Sequence, residues 1–214
     1  MKTIALIDYG SGNLHSAARA LRVAAMQAER KREIKITADP SAISHVDQIV
    51  LPGVGHFADC AANLRAHDGL VEALKEAVID RGVPFLGICV GQQLLATRGR
   101  EDGETPGLDW IPGDIDRITP GDGLAVPHMG WNALSLKQNH PVLADLGDDP
   151  HVYFTHSYAY RNPAASDIAA TTEYGETIIA AVARDNIFAT QFHPEKSQKV
   201  GLKMLSNFVL WEPK

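Results

Sequence analysis

The sequence lacks several features that define specialised classes of protein. Only two of its 214 residues are cysteine, Cys60 and Cys89, which excludes a disulfide framework and a four-thiolate zinc site. No apolar run approaches the roughly 18 residues that span a bilayer, so we expect no membrane partner. The first apolar stretch is interrupted by Asp8 and falls short of the roughly 7–15 residues of an export signal. We therefore expect a cytoplasmic protein, in a reducing compartment where thiols stay free.

Positive charge is also scarce. Lysine and arginine number 20 against 26 aspartates and glutamates, which gives a net charge of -6. This balance argues against binding to nucleic acid or to anionic membranes through bulk charge. Hydrophobic residues make up 45% and charged residues 21%, as in ordinary globular proteins. With no internal repeat and no linker, we predict one domain over residues 1–214.

Strand-like and helix-like periods alternate over the first two-thirds of the chain. Short β-rich runs predict strands at residues 3–7, 33–37, 48–51 and 83–88. Apolar residues recur at helical spacing over residues 14–25 and 70–78, and Asn13 is placed as an N-cap. Strands separated by helices imply βαβ units. The predicted fold is α/β: a single doubly wound, flavodoxin-like, mostly parallel sheet with helices on both faces.

The pattern changes after Thr97. Glycine, proline and aspartate cluster at residues 99–114 and 119–127, and short β-rich runs follow at residues 153–154, 168–172, 178–182 and 187–192. These runs predict an added antiparallel β section in the C-terminal half. A final helix is predicted over residues 197–210.

The stretch GICVG at residues 87–91 has the spacing of a nucleophile elbow, with Cys89 between two glycines. It lies at the predicted junction between a strand and a helix over residues 92–96, whose N-terminus would favour a thiolate. The glycines suit a sharp, strained turn that side chains would obstruct. A lone buried cysteine is the alternative, and Cys60, which has no such context, is assigned to helix packing.

A thiolate nucleophile needs a base, and the base needs a group that orients it. His193 and Glu195 lie two residues apart in QFHPE, residues 191–195, so in an extended segment both side chains point the same way. Taken alone, the pair is more typical of a surface salt bridge. Together with the elbow it predicts a Cys89–His193–Glu195 triad. A metal site is not expected, because no further Cys or His pair accompanies these residues.

Four motifs together resemble a known family. LPGVGHF at residues 51–57, GICVG at 87–91, VPHMGWN at 126–132 and QFHPEKS at 191–197 are similar to motifs of the triad-type glutamine amidotransferases. More narrowly, they resemble the glutaminase subunits of imidazole glycerol phosphate synthase, and PHMGWN is the most specific of the four. The likeness extends from IDYGSGN at residues 7–13 to the final helix. The commoner family elbow has Leu and Met where this chain has Val90 and Gln92.

The resemblance implies roles for further residues. Amide hydrolysis passes through an oxyanion that needs hydrogen-bond donors. The Val90 N–H, just after the nucleophile, is one expected donor, and the turn of Val54 and Gly55 supplies the other in the family. The residues that the family places against glutamine correspond to Gln93, Glu101, His156, Ser157 and Tyr158. Those that face the partner correspond to Asn13, Met129, Trp131 and Lys196.

The resemblance also implies a partner, a separate cyclase that forms a heterodimer with this chain and consumes its ammonia. Nothing in the sequence matches a phosphate-binding ATP loop, and GSGN at residues 10–13 is not a dinucleotide fingerprint, since His15 stands where the third glycine is needed. No cofactor is therefore expected. Two alternatives stay open: a glutaminase serving anthranilate or pyridoxal phosphate formation, and a catalytically silent flavodoxin-like binding protein.

Overall fold

The structure is a computed structural model that describes residues 1–213, and its largest unit is an eight-stranded sheet. In spatial order the strands are β2 (Arg32–Thr37), β1 (Lys2–Ile7), β3 (Gln48–Gly53), β4 (Phe85–Cys89), β14 (Ile187–Thr190), β13 (Thr177–Arg184), β12 (Ile168–Glu173) and β9 (Ser135–Leu136). The first five are parallel and the last three antiparallel. The parallel part has the flavodoxin-type winding, and the antiparallel addition was also predicted.

The register between two central strands determines what lies at the carboxyl edge of the sheet. Pro52 of β3 pairs with Ile88 of β4, and Gly53 pairs with Cys89. All six residues of β3 and all five of β4 are buried, as expected for strands covered on both faces. The predicted oxyanion turn, which we define as residues 52–55, therefore ends its strand directly beside Cys89, the predicted nucleophile.

The described part of the chain forms six α-helices, of which those at Leu14–Gln27, Leu70–Lys75 and Gln198–Leu210 lie close to predicted positions. The six helices are α1 (Leu14–Gln27), α2 (Pro40–Ile43), α3 (Phe57–Ala66), α4 (Leu70–Lys75), α5 (Val90–Gln93) and α6 (Gln198–Leu210), and α4 continues into a π-helical turn at Glu76–Asp80. Short 3₁₀ turns occupy Pro141–Leu143, Ala165–Asp167 and Pro194–Lys196. Asn13 caps α1 as predicted, because its side chain accepts a hydrogen bond from the Ser16 N–H. Among the described residues, no helix is long and apolar enough to cross a membrane.

Two predicted boundaries were wrong for identifiable reasons. The elbow helix ends at Gln93 rather than running to residue 96, because the chain folds back and uses the next carbonyls: Leu108 N–H donates to Leu94 and Ile111 N–H donates to Leu95. A four-residue helix adds little dipole to the thiolate. Strand β4 begins at Phe85, since Val83 N–H donates to the Ala77 carbonyl in the preceding turn.

Two smaller sheets lie beside the main one. Strand β8 (His128–Ala133) pairs with β10 (His151–His156), and β11 (Tyr158–Arg161) belongs to a four-stranded sheet with β7 (Asp114–Arg117), β5 (Arg98–Gly99) and β6 (Thr105–Pro106). The sequence pattern marked only residues 153–154 within these six strands. Strands β10 and β11 are consecutive, and the corner between them, residues 156–158, forms one wall of the cavity described below.

Candidate active site

Cys89 lies at the last position of β4, where the chain turns sharply into α5. Its φ of 56° is in the left-handed region, which costs a residue with a side chain about 1–2 kcal/mol. The flanking glycines have no room for a Cβ: one on Gly91 would overlap the Leu51 carbonyl, and one on Gly87 would overlap the Gly91 carbonyl. The strained turn and its close packing are the geometry expected of a nucleophile elbow.

His193 and Glu195 form a buried pair. His193 Nδ1 lies 2.8 Å from Glu195 Oε1, and only 2% and 5% of the two side chains are exposed. A carboxylate only accepts hydrogen bonds, so Nδ1 carries the proton. The pair lies at a 3₁₀ turn, Pro194–Lys196, rather than in the extended segment that the sequence predicted. The contact itself agrees with the prediction, although the backbone that makes it is different.

The imidazole of His193 is held in an environment that favours its charged form. Burial by itself lowers the pKa of His193, but the neighbouring Cys89 sulfur and the Glu195 carboxylate outweigh it and raise this pKa to about 9. Nε2 makes no hydrogen bond of good geometry and is free for a reacting group. At neutral pH this raised pKa keeps the imidazole of His193 in its charged form beside the Cys89 sulfur.

A cavity of about 500 Å³ opens over the sulfur. Cys89, His193 and Lys196 line it together with the corner between β10 and β11. The remaining lining residues are Asn13, Val54, Gly55, Val90, Gln93, Glu101, Pro127 and Thr155. A small polar molecule that enters this cavity meets the nucleophile, the imidazole and one carboxylate together.

Comparison with known proteins identifies the family. The sequence profile of the family described as "Glutamine amidotransferase class-I" matches residues 5–211. The chain belongs to this family. Two similar curated proteins are both described as "Imidazole glycerol phosphate synthase subunit HisH". The one from Caulobacter vibrioides is 52% identical and covers 100% of both chains, and the one from Bradyrhizobium diazoefficiens is 51% identical and covers 99% of this chain and 100% of its own.

Solved structures of more distant proteins share the fold. A protein from Thermoplasma acidophilum, described as a putative GMP synthase subunit, superposes with a TM-score of 0.69 at 21% identity, covering 98% of this chain and 92% of its own. A protein described as a glutamine amidotransferase gives 0.67 at 18% identity, covering 92% and 94%. These likenesses support the class-I glutamine amidotransferase fold that the sheet order already shows.

In this amidotransferase the expected oxyanion donors differ in whether their N–H groups already make a hydrogen bond. Val90 and Gly55 line the cavity, and neither N–H is used in a turn or loop hydrogen bond. The Val54 N–H instead points to the Ser11 hydroxyl at 3.2 Å, while that hydroxyl donates to the Val54 carbonyl at 2.6 Å. Ser11 therefore holds both polar groups of Val54, a contact that no sequence pattern signalled.

The residues expected to bind glutamine all line the cavity. Glu101 uses one oxygen to accept the Phe57 N–H at 2.8 Å, which fixes its carboxylate at the cavity wall. His156 differs from the others, because both of its ring nitrogens are already engaged, one with His128 and one with the Tyr158 carbonyl. It contributes shape to the wall rather than a free polar group.

The residues expected to face the partner fall into two groups. Asn13 and Lys196 border the cavity. Met129 and Trp131 lie on β8 and are 62% and 47% exposed, and the Trp131 ring packs edge-to-face on Tyr153 at 5.9 Å. Large apolar side chains left in solvent are typical of interaction surfaces, so their exposure fits the predicted role.

Proposed function

We propose that this chain hydrolyses glutamine with a Cys89–His193–Glu195 triad and passes the ammonia to a cyclase, as the glutaminase subunit of an imidazole glycerol phosphate synthase. The observation that carries the proposal is the strained elbow, which presents Cys89 in one cavity with a buried, charged His193–Glu195 pair. Relatives named as HisH over the whole length support the choice of synthase over anthranilate or pyridoxal phosphate formation.

The first step is attack of the Cys89 thiolate on the side-chain carboxamide carbon of glutamine. A tetrahedral oxyanion forms, and the His193 imidazolium then gives its Nε2 proton to the departing nitrogen, so that ammonia leaves and a thioester remains. The neutral imidazole next takes a proton from water, which attacks the thioester and releases glutamate. Glu195 holds the imidazole in one tautomer through Nδ1 throughout.

The oxyanion requires donors that are placed before it forms. The Val90 N–H follows the nucleophile directly and supplies one. The second comes from the oxyanion turn, through Val54 or Gly55. Since the Val54 N–H is bound to Ser11, that peptide has to rotate before it can donate to the oxyanion. We propose that docking of the cyclase triggers this rotation, with Lys196 and residues 127–132 carrying the signal.

Substrate binding follows from the charges of a free amino acid. The Glu101 carboxylate lies at the cavity wall and complements the α-ammonium group of glutamine. Gln93, Ser157 and Tyr158 supply amide and hydroxyl groups for the rest of the molecule. The two unpaired cysteines suit a reducing compartment, and we propose the cytoplasm.

The proposal is tested by replacing each cysteine in turn. Cys89→Ala removes the nucleophile and is expected to reduce glutamate release to background, because loss of a catalytic nucleophile costs on the order of a millionfold. Cys60→Ser keeps a donor beside Ser11 and is the matched control, expected to retain activity. The cyclase in complex with Cys89→Ala should still use free ammonia. A dead Cys60→Ser protein with an active Cys89→Ala protein would refute the assignment.

A further inference from the structure

Gln191 has no role in the mechanism above, yet it contacts the nucleophile. Its side chain is completely buried, and its Nε2 lies 3.7 Å from Cys89 Sγ, within hydrogen-bond distance for sulfur. Its Oε1 accepts a hydrogen bond of 2.9 Å from Gln93 Nε2. Gln191 therefore bridges the sulfur and a residue of the cavity wall.

The orientation of these amides is set by a chain of hydrogen bonds that begins at the two buried histidines. The Tyr158 carbonyl only accepts, so His156 Nδ1, at 2.9 Å, carries a proton. Burial lowers the pKa of His156 to about 3, which leaves the ring neutral and its Nε2 an acceptor. His128 Nδ1, 3.0 Å away, must then be the donor, and His128 Nε2 accepts from Asn132 Nδ2 at 3.4 Å.

The Tyr158 carbonyl also fixes the orientation of the two glutamine side-chain amides. The Tyr158 oxygen also accepts from Gln93 Nε2 at 3.1 Å, and the second proton on that nitrogen goes to Gln191 Oε1. A flipped Gln93 would place its oxygen against the Tyr158 carbonyl. A flipped Gln191 would place donor against donor at Gln93 and oxygen against Sγ. Only one orientation satisfies every contact, and it aims a Gln191 N–H at the sulfur.

We propose that Gln191 is a further catalytic residue, the donor that stabilises and orients the Cys89 thiolate, with Gln93 and the Tyr158 carbonyl as the groups that fix its orientation. This inference rests on the proposed function, because it assigns a role at the same nucleophile. Hydrogen bonds to a charged acceptor are about twice as strong as neutral ones, so the contact favours thiolate over thiol and holds Sγ at the mouth of the elbow.

The experiment measures the reactivity of the thiol directly, independent of glutamine. The full chain is alkylated with iodoacetamide between pH 5 and pH 10, and modification at Cys89 is followed by mass spectrometry. In Gln191→Met, which removes the donor at similar volume, the midpoint of the pH profile should rise by about one unit, and the rate at pH values below the wild-type midpoint should fall about tenfold. The matched control is Gln92→Met, since Gln92 is equally buried but its amide contacts only the Ala189 carbonyl at 3.4 Å.

A second variant protects the test against misfolding. Gln191→Glu keeps the shape and still accepts from Gln93, but it turns a carboxylate oxygen toward Sγ, so its midpoint should rise as well. If either folded variant at position 191 reacts with the wild-type pH profile, Gln191 only packs, and the inference is overturned. The Cys89→Ala experiment tests glutamine hydrolysis itself. A wild-type pH profile in the Gln191 variants would therefore overturn the role of Gln191 without affecting the proposed function, and the two failures are distinguishable.

Discussion

The nucleophile elbow, residues 87–91, and the oxyanion turn, residues 52–55, end neighbouring strands, but their far ends, Gly91 and Gly55, differ in how tightly they are packed. At the elbow, a Cβ on Gly91 would strike the Leu51 backbone. At the turn, Gly55 has a φ of 109° and no atom within 4 Å of the place where a Cβ would lie, and Val54 is 42% exposed. The elbow is fixed by its neighbours, whereas the far end of the turn is held through Ser11.

This difference suggests separate roles for the two segments: the elbow carries out the reaction, and the turn regulates it. The strain at Cys89 persists because the surrounding backbone leaves no alternative, so we expect the proposed nucleophile to be in position before any ligand binds. At Gly55 the turn has open space, and its conformation there depends on a few hydrogen bonds that each contribute only about 1 kcal/mol. A docking partner can supply free energy of that size. We therefore expect changes at the elbow to abolish activity or folding, and changes at the turn to alter regulation.

The largest effects should come from the imidazole beside the elbow. His193→Ala removes the proton carrier and is expected to lower glutamine hydrolysis by about a hundred- to ten-thousand-fold. Glu195→Gln keeps the shape but removes the charge that stabilises the imidazolium, so its loss should be smaller. Both are measured as glutamate release after circular dichroism has shown equal folding. Wild-type activity in Glu195→Gln would remove Glu195 from the triad.

The next prediction compares the two glycines directly. Gly91→Ala forces a Cβ into the Leu51 carbonyl and should cost about 3 kcal/mol of unfolding free energy. Gly55→Ala meets open space and should cost only the backbone strain of its positive φ, about 1–2 kcal/mol. Urea denaturation of both variants gives the two values. Equal losses would mean that the packing difference between elbow and turn has no energetic consequence.

Low pH should lower the stability of the fold through two buried histidines, His128 and His156. Burial lowers the pKa of His128 to about 4 and that of His156 to about 3, so below pH 6.5 the unfolded chain takes up protons that the folded chain does not. The contribution of these two histidines to stability is complete above pH 6.5 and is lost as pH decreases, by about 2 kcal/mol for each histidine at pH 5. His156→Gln keeps one donor and one acceptor but cannot titrate. Its unfolding free energy should fall less between pH 7 and pH 5, and an unchanged pH slope would contradict the assignment.

The elbow side has the opposite pH dependence. The pKa of His193 is raised to about 9, so its contribution to stability is present below pH 6.5 and disappears as pH rises through 9. The stabilising contribution of His128 and His156 is therefore lost at low pH, and that of His193 is lost at high pH.

The smallest effect should come from the hydroxyl that holds the turn. Ser11→Ala frees the Val54 N–H and leaves its carbonyl with only the Cys60 Sγ contact at 3.5 Å, and we expect glutamate release by the isolated chain to rise about fivefold, the equivalent of one hydrogen bond. Ser41→Ala, at a short helix away from the cavity, is the control. An unchanged or lower rate in Ser11→Ala would show that this contact does not restrain the turn.

Local patterns predicted most of the main sheet and the elbow. Strand β1 follows from a short apolar run that is buried on both faces, and helices α1, with its Asn13 cap, and α6 follow from apolar residues at helical spacing. Strands β5 and β6 have two residues each, too few to show any period. The early end of α5 was not predictable locally, since it results from hydrogen bonds donated by residues about 14 positions later.

The site shows the same division. The elbow and the His193–Glu195 spacing are short-range patterns that the sequence displays directly. The Ser11–Val54 contact spans 43 positions and the Gln191–Cys89 contact spans 102. Such pairs meet only after the sheet has assembled, and serine and glutamine carry no pattern that distinguishes these roles from ordinary surface or core positions.

The central claim is that this chain carries all the catalytic side chains, but that its oxyanion turn adopts the active conformation only when the partner is bound. The direct test is the rate of glutamate release by the chain alone, with the cyclase, and with the cyclase plus its acceptor ligand. Restoring one oxyanion donor is worth about a hundred- to a thousand-fold in rate, so turnover should rise by at least about a hundredfold when the cyclase and its ligand are bound. Full turnover by the isolated chain would contradict the account.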